Sequence, residues 1–128
     1  MNKKTIQTDK APAAIGPYSQ AVVVPVGSTV YLSGQIGLDP VTGELVSENF
    51  EEQVRQAFAN MTAIIHAAGG SLNSIVKLTL FVTDIRNFGI VNAVMSEIIP
   101  QPFPARSTVE VSALPKNAQF EVEAIIIV

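Results

Sequence analysis

The sequence contains no cysteine, no tryptophan and a single histidine, His66. Without cysteine there is no disulfide, no thiol nucleophile and no thiolate metal ligand. One histidine does not make a zinc ligand set, so no metal is expected. A serine–histidine triad would have to use His66, which lies in a helical pattern remote in sequence from any serine in a sharp turn. Charge is scarce as well: 15% of residues are charged against 48% hydrophobic. The eight Lys and Arg are scattered, only Lys3 and Lys4 are adjacent, and the formal net charge is −3. This balance speaks against a nucleic-acid partner, which requires a basic stripe or patch. No apolar stretch reaches the roughly 20 residues of a membrane span. Residues 1–9 carry two lysines with no apolar run behind them, unlike a signal peptide. Gly34-Gln35-Ile36-Gly37 has neither the spacing nor the directly following helix of a phosphate-binding loop. Together with the lack of cysteine, these absences lead to the expectation of a cytoplasmic protein that needs no cofactor.

A length of 128 residues fits a single domain spanning 1–128. Small domains bury a modest fraction of their surface, so this apolar a composition predicts self-association, with part of the surface covered by another copy of the chain. Val22–Val24 and Thr29–Ser33 read as strands joined by a turn at 25–28, and Gly34, Gly37, Pro40 and Gly43 mark loop beyond them. The clearest helix runs from Asn49 to Ala68. Asn49 followed by Glu52 gives a box-like start. Phe50, Val54, Phe58, Met61, Ile65 and Ala68 recur on one face, and Gly69-Gly70 ends the run. Ile75–Thr83 reads as a strand whose apolar face carries Val76, Leu78, Leu80 and Val82. Asp84 caps a turn. A second helix covers 87–99 with Phe88, Val91, Met95 and Ile98 as its stripe, stopped by Pro100, Pro102 and Pro104. Arg106–Val111 and Gln119–Val128 form the last strands around a turn at Pro115-Lys116-Asn117. This order predicts an α+β fold, a mixed sheet with two helices on one face.

Three stretches place polar groups among apolar strands. Arg106 follows a loop held by three prolines, and its guanidinium fork matches a carboxylate in two parallel hydrogen bonds. A salt bridge to Glu110, Glu121 or Glu123 is the structural alternative. In Phe120-Glu121-Val122-Glu123-Ala124 both carboxylates point to one face. They form either a solvated edge or a group placed to orient water. In Ala14-Ile15-Gly16-Pro17-Tyr18-Ser19-Gln20 a fixed bend precedes a tyrosine that offers ring face and hydroxyl, suited to packing or to a pocket.

Taken together, these segments resemble the Rid/YjgF (reactive intermediate deaminase) family. Ala11–Gln20, Ser33–Gly37, Thr42-Gly43-Glu44, Val91-Asn92-Ala93, Pro104–Ser107 and Glu121–Ile125 match its motifs in order over nearly the whole chain. The resemblance implies a chorismate-mutase-like fold and a homotrimer with three clefts, each lined by adjacent subunits. It implies an enzyme that hydrolyses 2-iminobutanoate and 2-iminopropanoate to 2-keto acids and ammonia. In that reading Arg106 holds the substrate carboxylate, and Tyr18, Ser33, Gly34 and Asn92 shape the pocket. Glu121 and a backbone carbonyl near Thr108 position the attacking water. Thr108 stands where many bacterial members carry cysteine, and Ile98–Phe103 is shorter than in many relatives. Two other functions are compatible with the same residues: a non-catalytic regulatory trimer that binds a small carboxylate, and a ribonuclease or translation inhibitor. The acidic balance argues against the latter.

Overall fold

The computed structural model describes residues 3–24 and 26–128. Met1, Asn2 and Pro25, which belong to the chain start and the expected 25–28 turn, lie outside the described residues. Strands β1 (Lys4–Ile6), β2 (Ala21–Val23) and β3 (Thr29–Ile36) precede helix α1 (Phe50–Ala67). Strand β4 (Ile75–Val82), helix α2 (Phe88–Ile98), and strands β5 (Ala105–Glu110) and β6 (Phe120–Ile127) follow.

β1 and β2 form an antiparallel ribbon, with Thr5 opposite Val22. Three residues are too few to show a period, which is why β1 is not legible in the sequence. The main sheet has the order β3-β6-β4-β5. β6 runs antiparallel to both of its neighbours, while β4 and β5 are parallel. A parallel pair needs a long crossover, and α2 supplies it.

Both helices cover one face of this sheet, as the element order predicts. The apolar face of α1 buries Phe50, Val54, Ala57, Phe58, Met61 and Ile65 over β3 and β6, in one core with Leu32, Leu78, Leu80, Val82, Phe120, Val122 and Ile126. Val91, Val94 and Met95 of α2 join the same core. Phe120 meets Phe50 edge-on at 6.2 Å and Phe58 at 5.7 Å between ring centroids. Asn49 caps α1 by accepting the Glu52 N–H at 3.0 Å. The return half of the expected box does not form, because the Asn49 N–H donates to Ser47 Oγ instead. Gly69, at φ +88°, closes the helix in the left-handed conformation. Asp84 caps a single helical turn by accepting the Arg86 N–H.

Two irregularities shift the pattern expected from alternation. On β4, Ile75 pairs with Ile126 and Lys77 with Ile125, so an extra residue is inserted at Val76. The bulge puts Ile75, not Val76, into the core. On β3, Leu32 pairs with Ala124 and Gln35 with Val122, so the strand bulges at Ser33-Gly34 and continues to Ile36. The glycine read as the start of a loop is therefore a strand residue at a bulge.

The second face of the main sheet carries Tyr31, Lys77, Thr79, Phe81, Ser107, Val109, Glu121, Glu123 and Ile125, by the alternation and the register of the four strands. No helix of the described residues covers it. Tyr31 is 76% exposed there.

Candidate functional site

Arg106 sits near the start of β5, opposite Leu78 of β4, and therefore points to the helix-covered face. β5 is the outermost strand, so the side chain emerges at the sheet edge beneath α2. There it meets a stripe of α2 at i, i+4 and i+7: Phe88, Asn92 and Met95. Its Nη1 donates to Asn92 Oδ1 at 2.6 Å and lies 3.6 Å from Met95 Sδ. Its Cζ is 4.9 Å from the ring centre of Tyr18 and 5.1 Å from that of Phe88. These are cation–π distances. Burial draws the arginine pKa below its ordinary value, partly opposed by Tyr18. The group nonetheless remains a cation at neutral pH.

The segment before β2 brings Tyr18 into place. The Ser19 N–H donates to Pro104 O at 2.9 Å, its hydroxyl donates to Phe103 O, and Ser19 bridges to Ala105. The chain is thereby laced to the entry of β5, one residue from Arg106. Gly16 also packs here, where an added Cβ would come within 3.3 Å of Arg106 Nη2. A cavity of about 230 Å³ opens beside the guanidinium, lined by Ile15, Tyr18, Phe88, Arg106 and Thr108. Thr108 follows Arg106 by two residues on the same strand face. Its hydroxyl is the one buried side-chain polar atom among the described residues with no hydrogen-bond partner.

None of Glu110, Glu121 or Glu123 pairs with Arg106. Glu110 accepts the Ile85 N–H at 2.9 Å. The ion pairs among the described residues involve Arg55 and Arg86 only. The anchor expected from the sequence is thus a cation with no internal carboxylate to neutralise it.

Glu121 belongs to a second cluster. It pairs in register with Ile36 of β3 and Phe81 of β4. Its carboxyl lies over Gly34: an added Cβ there would sit 2.7 Å from Glu121 Cδ and closer still to Oε2. Ser33 is exposed beside it. Burial, reinforced by neighbouring Glu123, pushes the Glu121 pKa above the ordinary glutamate value. Such a carboxyl is a better proton acceptor than a free one.

The residues singled out in the sequence therefore fall into two groups within one chain. Tyr18, Asn92, Arg106 and Thr108 converge under α2, whereas Ser33, Gly34 and Glu121 meet on the opposite face. Phe88 and Met95 belong to the first group and read in the sequence only as core. The signal that marks them is Asn92, a polar residue at helical spacing between two apolar ones. His66 is exposed in the last turn of α1, away from both groups. The described residues hold no cluster of three metal-ligating side chains, and none of their helices is long and apolar enough to cross a membrane.

Fold and site define a small α+β protein with an unneutralised guanidinium facing a shallow cavity and a separate glutamate on the far sheet face. A family model described as Endoribonuclease L-PSP matches residues 8–128, and the chain belongs to this family, the Rid/YjgF proteins. The 2-iminobutanoate/2-iminopropanoate deaminase of Dermatophagoides farinae is 48% identical over 126 residues, covering 98% of this chain and 97% of that protein. The human protein of the same name is 46% identical, covering 98% and 90%. Among solved structures, RidA from Psychrobacter sp. PAMC 21119 matches with a TM-score of 0.77 and 52% identity, covering 98% and 99%. TdcF of E. coli with bound serine matches with a TM-score of 0.73 and 42% identity, covering 98% of each chain.

Proposed function

We propose that the protein is a 2-iminobutanoate/2-iminopropanoate deaminase that works as a cytoplasmic homotrimer of chorismate-mutase-like domains, each formed by residues 1–128. The observation that carries this reading is the half-buried Arg106, held on one side by Asn92 and facing a cavity without an internal counter-ion. A site of this kind suits a small carboxylate. The near full-length relatives named for this activity support the substrate class, and serine bound to a relative is itself a small 2-amino acid.

The chemistry requires few groups. Protonated at nitrogen, the imine carbon of a 2-imino acid is electrophilic. Arg106 fixes the carboxylate, which sets the position of the adjacent C=N bond. Glu121 and the main-chain carbonyl at Thr108 orient a water molecule toward that carbon. Glu121 accepts the water proton as the C–O bond forms, and the proton returns to nitrogen. The resulting amino alcohol collapses with loss of ammonia as Glu121 takes up the hydroxyl proton, and leaves the 2-keto acid. Neither a metal nor a covalent intermediate is needed.

Within one chain Arg106 and Glu121 cannot share a substrate, because they face opposite sides of the sheet. A trimer in which the open sheet face of one subunit meets the Arg106 edge of the next would join them. The exposed Tyr31 and the apolar Phe81, Val109 and Ile125 on that face favour such packing. An RNA-cleaving role is disfavoured by eight Lys and Arg against eleven Asp and Glu.

The test is a coupled assay in which a threonine dehydratase generates 2-iminobutanoate. The protein is expected to speed loss of the imine, and Arg106→Ala to reduce the rate to the uncatalysed level. Full activity in that variant would remove the carboxylate anchor from the reading.

A further inference from the structure

The proposed anchor raises a question of its own: what keeps an unpaired, half-buried guanidinium in one orientation? Asn92 and Met95 engage Nη1 alone. A single hydrogen bond leaves the guanidinium plane free to rotate about it. A two-point contact with a carboxylate needs that plane fixed.

Phe88 is placed to fix it. It is the first residue of α2, and its ring is only partly buried although it belongs to the helix's apolar stripe. The ring does not close the core as Val91, Val94 and Met95 do. It lines the cavity, with its centre 5.1 Å from Arg106 Cζ. Tyr18 presents a second ring at 4.9 Å from a different part of the chain. The rings supply the attraction to the cation that no carboxylate among the described residues provides. They also leave the guanidinium its remaining donors for an incoming ligand.

We propose that Phe88 is a positioning residue for the carboxylate anchor: its ring face holds the Arg106 guanidinium in the orientation that receives the substrate. The proposal rests on Arg106 being that anchor. Phe88 acts through Arg106 and takes no part in moving protons or water. Its loss weakens ground-state and transition-state binding alike, so KM rises and kcat stays.

The experiment uses the full chain in four forms: wild type, Phe88→Leu, Phe88→Tyr and Arg106→Ala. The stable keto acid 2-ketobutanoate serves as the binding probe by calorimetry, and 2-iminobutanoate turnover gives KM and kcat. A cation–π contact at a partly desolvated site corresponds to about a three- to tenfold change in affinity. Phe88→Leu is expected to weaken 2-ketobutanoate binding and raise KM by that factor while kcat stays within about twofold. Phe88→Tyr, which keeps the ring, is expected to restore both. Phe88→Met serves as a second ringless variant where the leucine protein fails to fold. The proposal is overturned if the ringless variants bind as wild type, if they lose kcat at constant KM, or if tyrosine does no better than leucine. Arg106→Ala separates the two layers. If it binds 2-ketobutanoate normally, the anchor itself is wrong. If it loses binding while the ringless Phe88 variants keep it, only the role of Phe88 fails.

Discussion

Arg106 and Glu121 point to opposite faces of one sheet, on strands separated by β4. Two strand spacings across the sheet and an offset of three residues along it place their backbones about 14 Å apart, with the sheet itself between the side chains. One chain therefore cannot complete the proposed reaction centre, and the proposed trimer predicts a specific form of complementation. Arg106→Ala and Glu121→Gln are each expected to be inactive alone. In the proposed trimer each cleft draws its arginine from one subunit and its glutamate from the next, so the two variants co-expressed in equal amounts complement each other. Each requirement is met half the time, so about one quarter of wild-type activity should return. Activity that stays at background in verified mixed trimers would place both groups in the same chain's site and refute the shared cleft.

Gly34 is the second point at which activity and folding can be separated. Its backbone lies outside the left-handed region, so alanine introduces no torsional strain there. The new methyl would instead occupy the space of the Glu121 carboxyl. That carboxyl is the end of a flexible side chain and can swing away at little cost to the fold. Gly34→Ala is thus expected to melt within a few degrees of wild type yet lose at least about tenfold in kcat, because the proposed base is displaced. Undiminished kcat would show that the carboxyl's position over Gly34 is irrelevant to turnover.

Glu121 also predicts a pH dependence whose sign follows from its raised pKa. Burial, with Glu123 beside it, disfavours the ionised form in the folded chain. Below the ordinary glutamate range the group is protonated in both folded and unfolded states and costs nothing. As pH rises through the ordinary range and then the raised value, folding becomes less favourable. Glu121→Gln should therefore melt slightly higher than wild type at pH 7.5, and the difference should vanish near pH 3. The effect is small, because water reaches most of the group and screens it. In the wild type, the acidic limb of the kcat profile should lie above the ordinary glutamate pKa. A higher melting point for wild type at pH 7.5 would contradict the direction.

Much of this site is legible in the sequence because its parts break a local pattern. Arg106 and Glu121 interrupt apolar strands, and Asn92 interrupts an apolar helix stripe. The helices are readable for the opposite reason: α1 keeps its period from Phe50 to Ile65 and is bounded by Asn49 and Gly69. Alternation fails where a bulge adds a residue. Val76 and Ile75 exchange faces on β4, and Gly34 reads as loop although it lies within β3. Bulges are set by pairing with β6, 40 or more residues away, and leave no mark of their own on the strand. Phe88 was hidden for a different reason. A ring on an apolar stripe looks like core until the guanidinium beside it is seen.

Thr108 offers a test of stability rather than chemistry. Its Oγ1 is buried with no hydrogen-bond partner, while the strand backbone around it is paired with β4. Leaving a hydroxyl unsatisfied costs roughly 1–3 kcal/mol. Valine has nearly the same shape and removes the hydroxyl without opening a cavity. Thr108→Val is therefore expected to stabilise the fold by about 1 kcal/mol, a rise of about 4 °C in Tm for a domain of this size. Cysteine, the residue that many bacterial members carry here, should move Tm in the same direction, because a thiol is a weaker hydrogen-bonding group and tolerates burial better. Serine keeps the hydroxyl and loses a methyl, so it should melt below wild type. A lower Tm for Thr108→Val would mean that the hydroxyl has a partner in the assembled protein, an ordered water or a group from the neighbouring subunit.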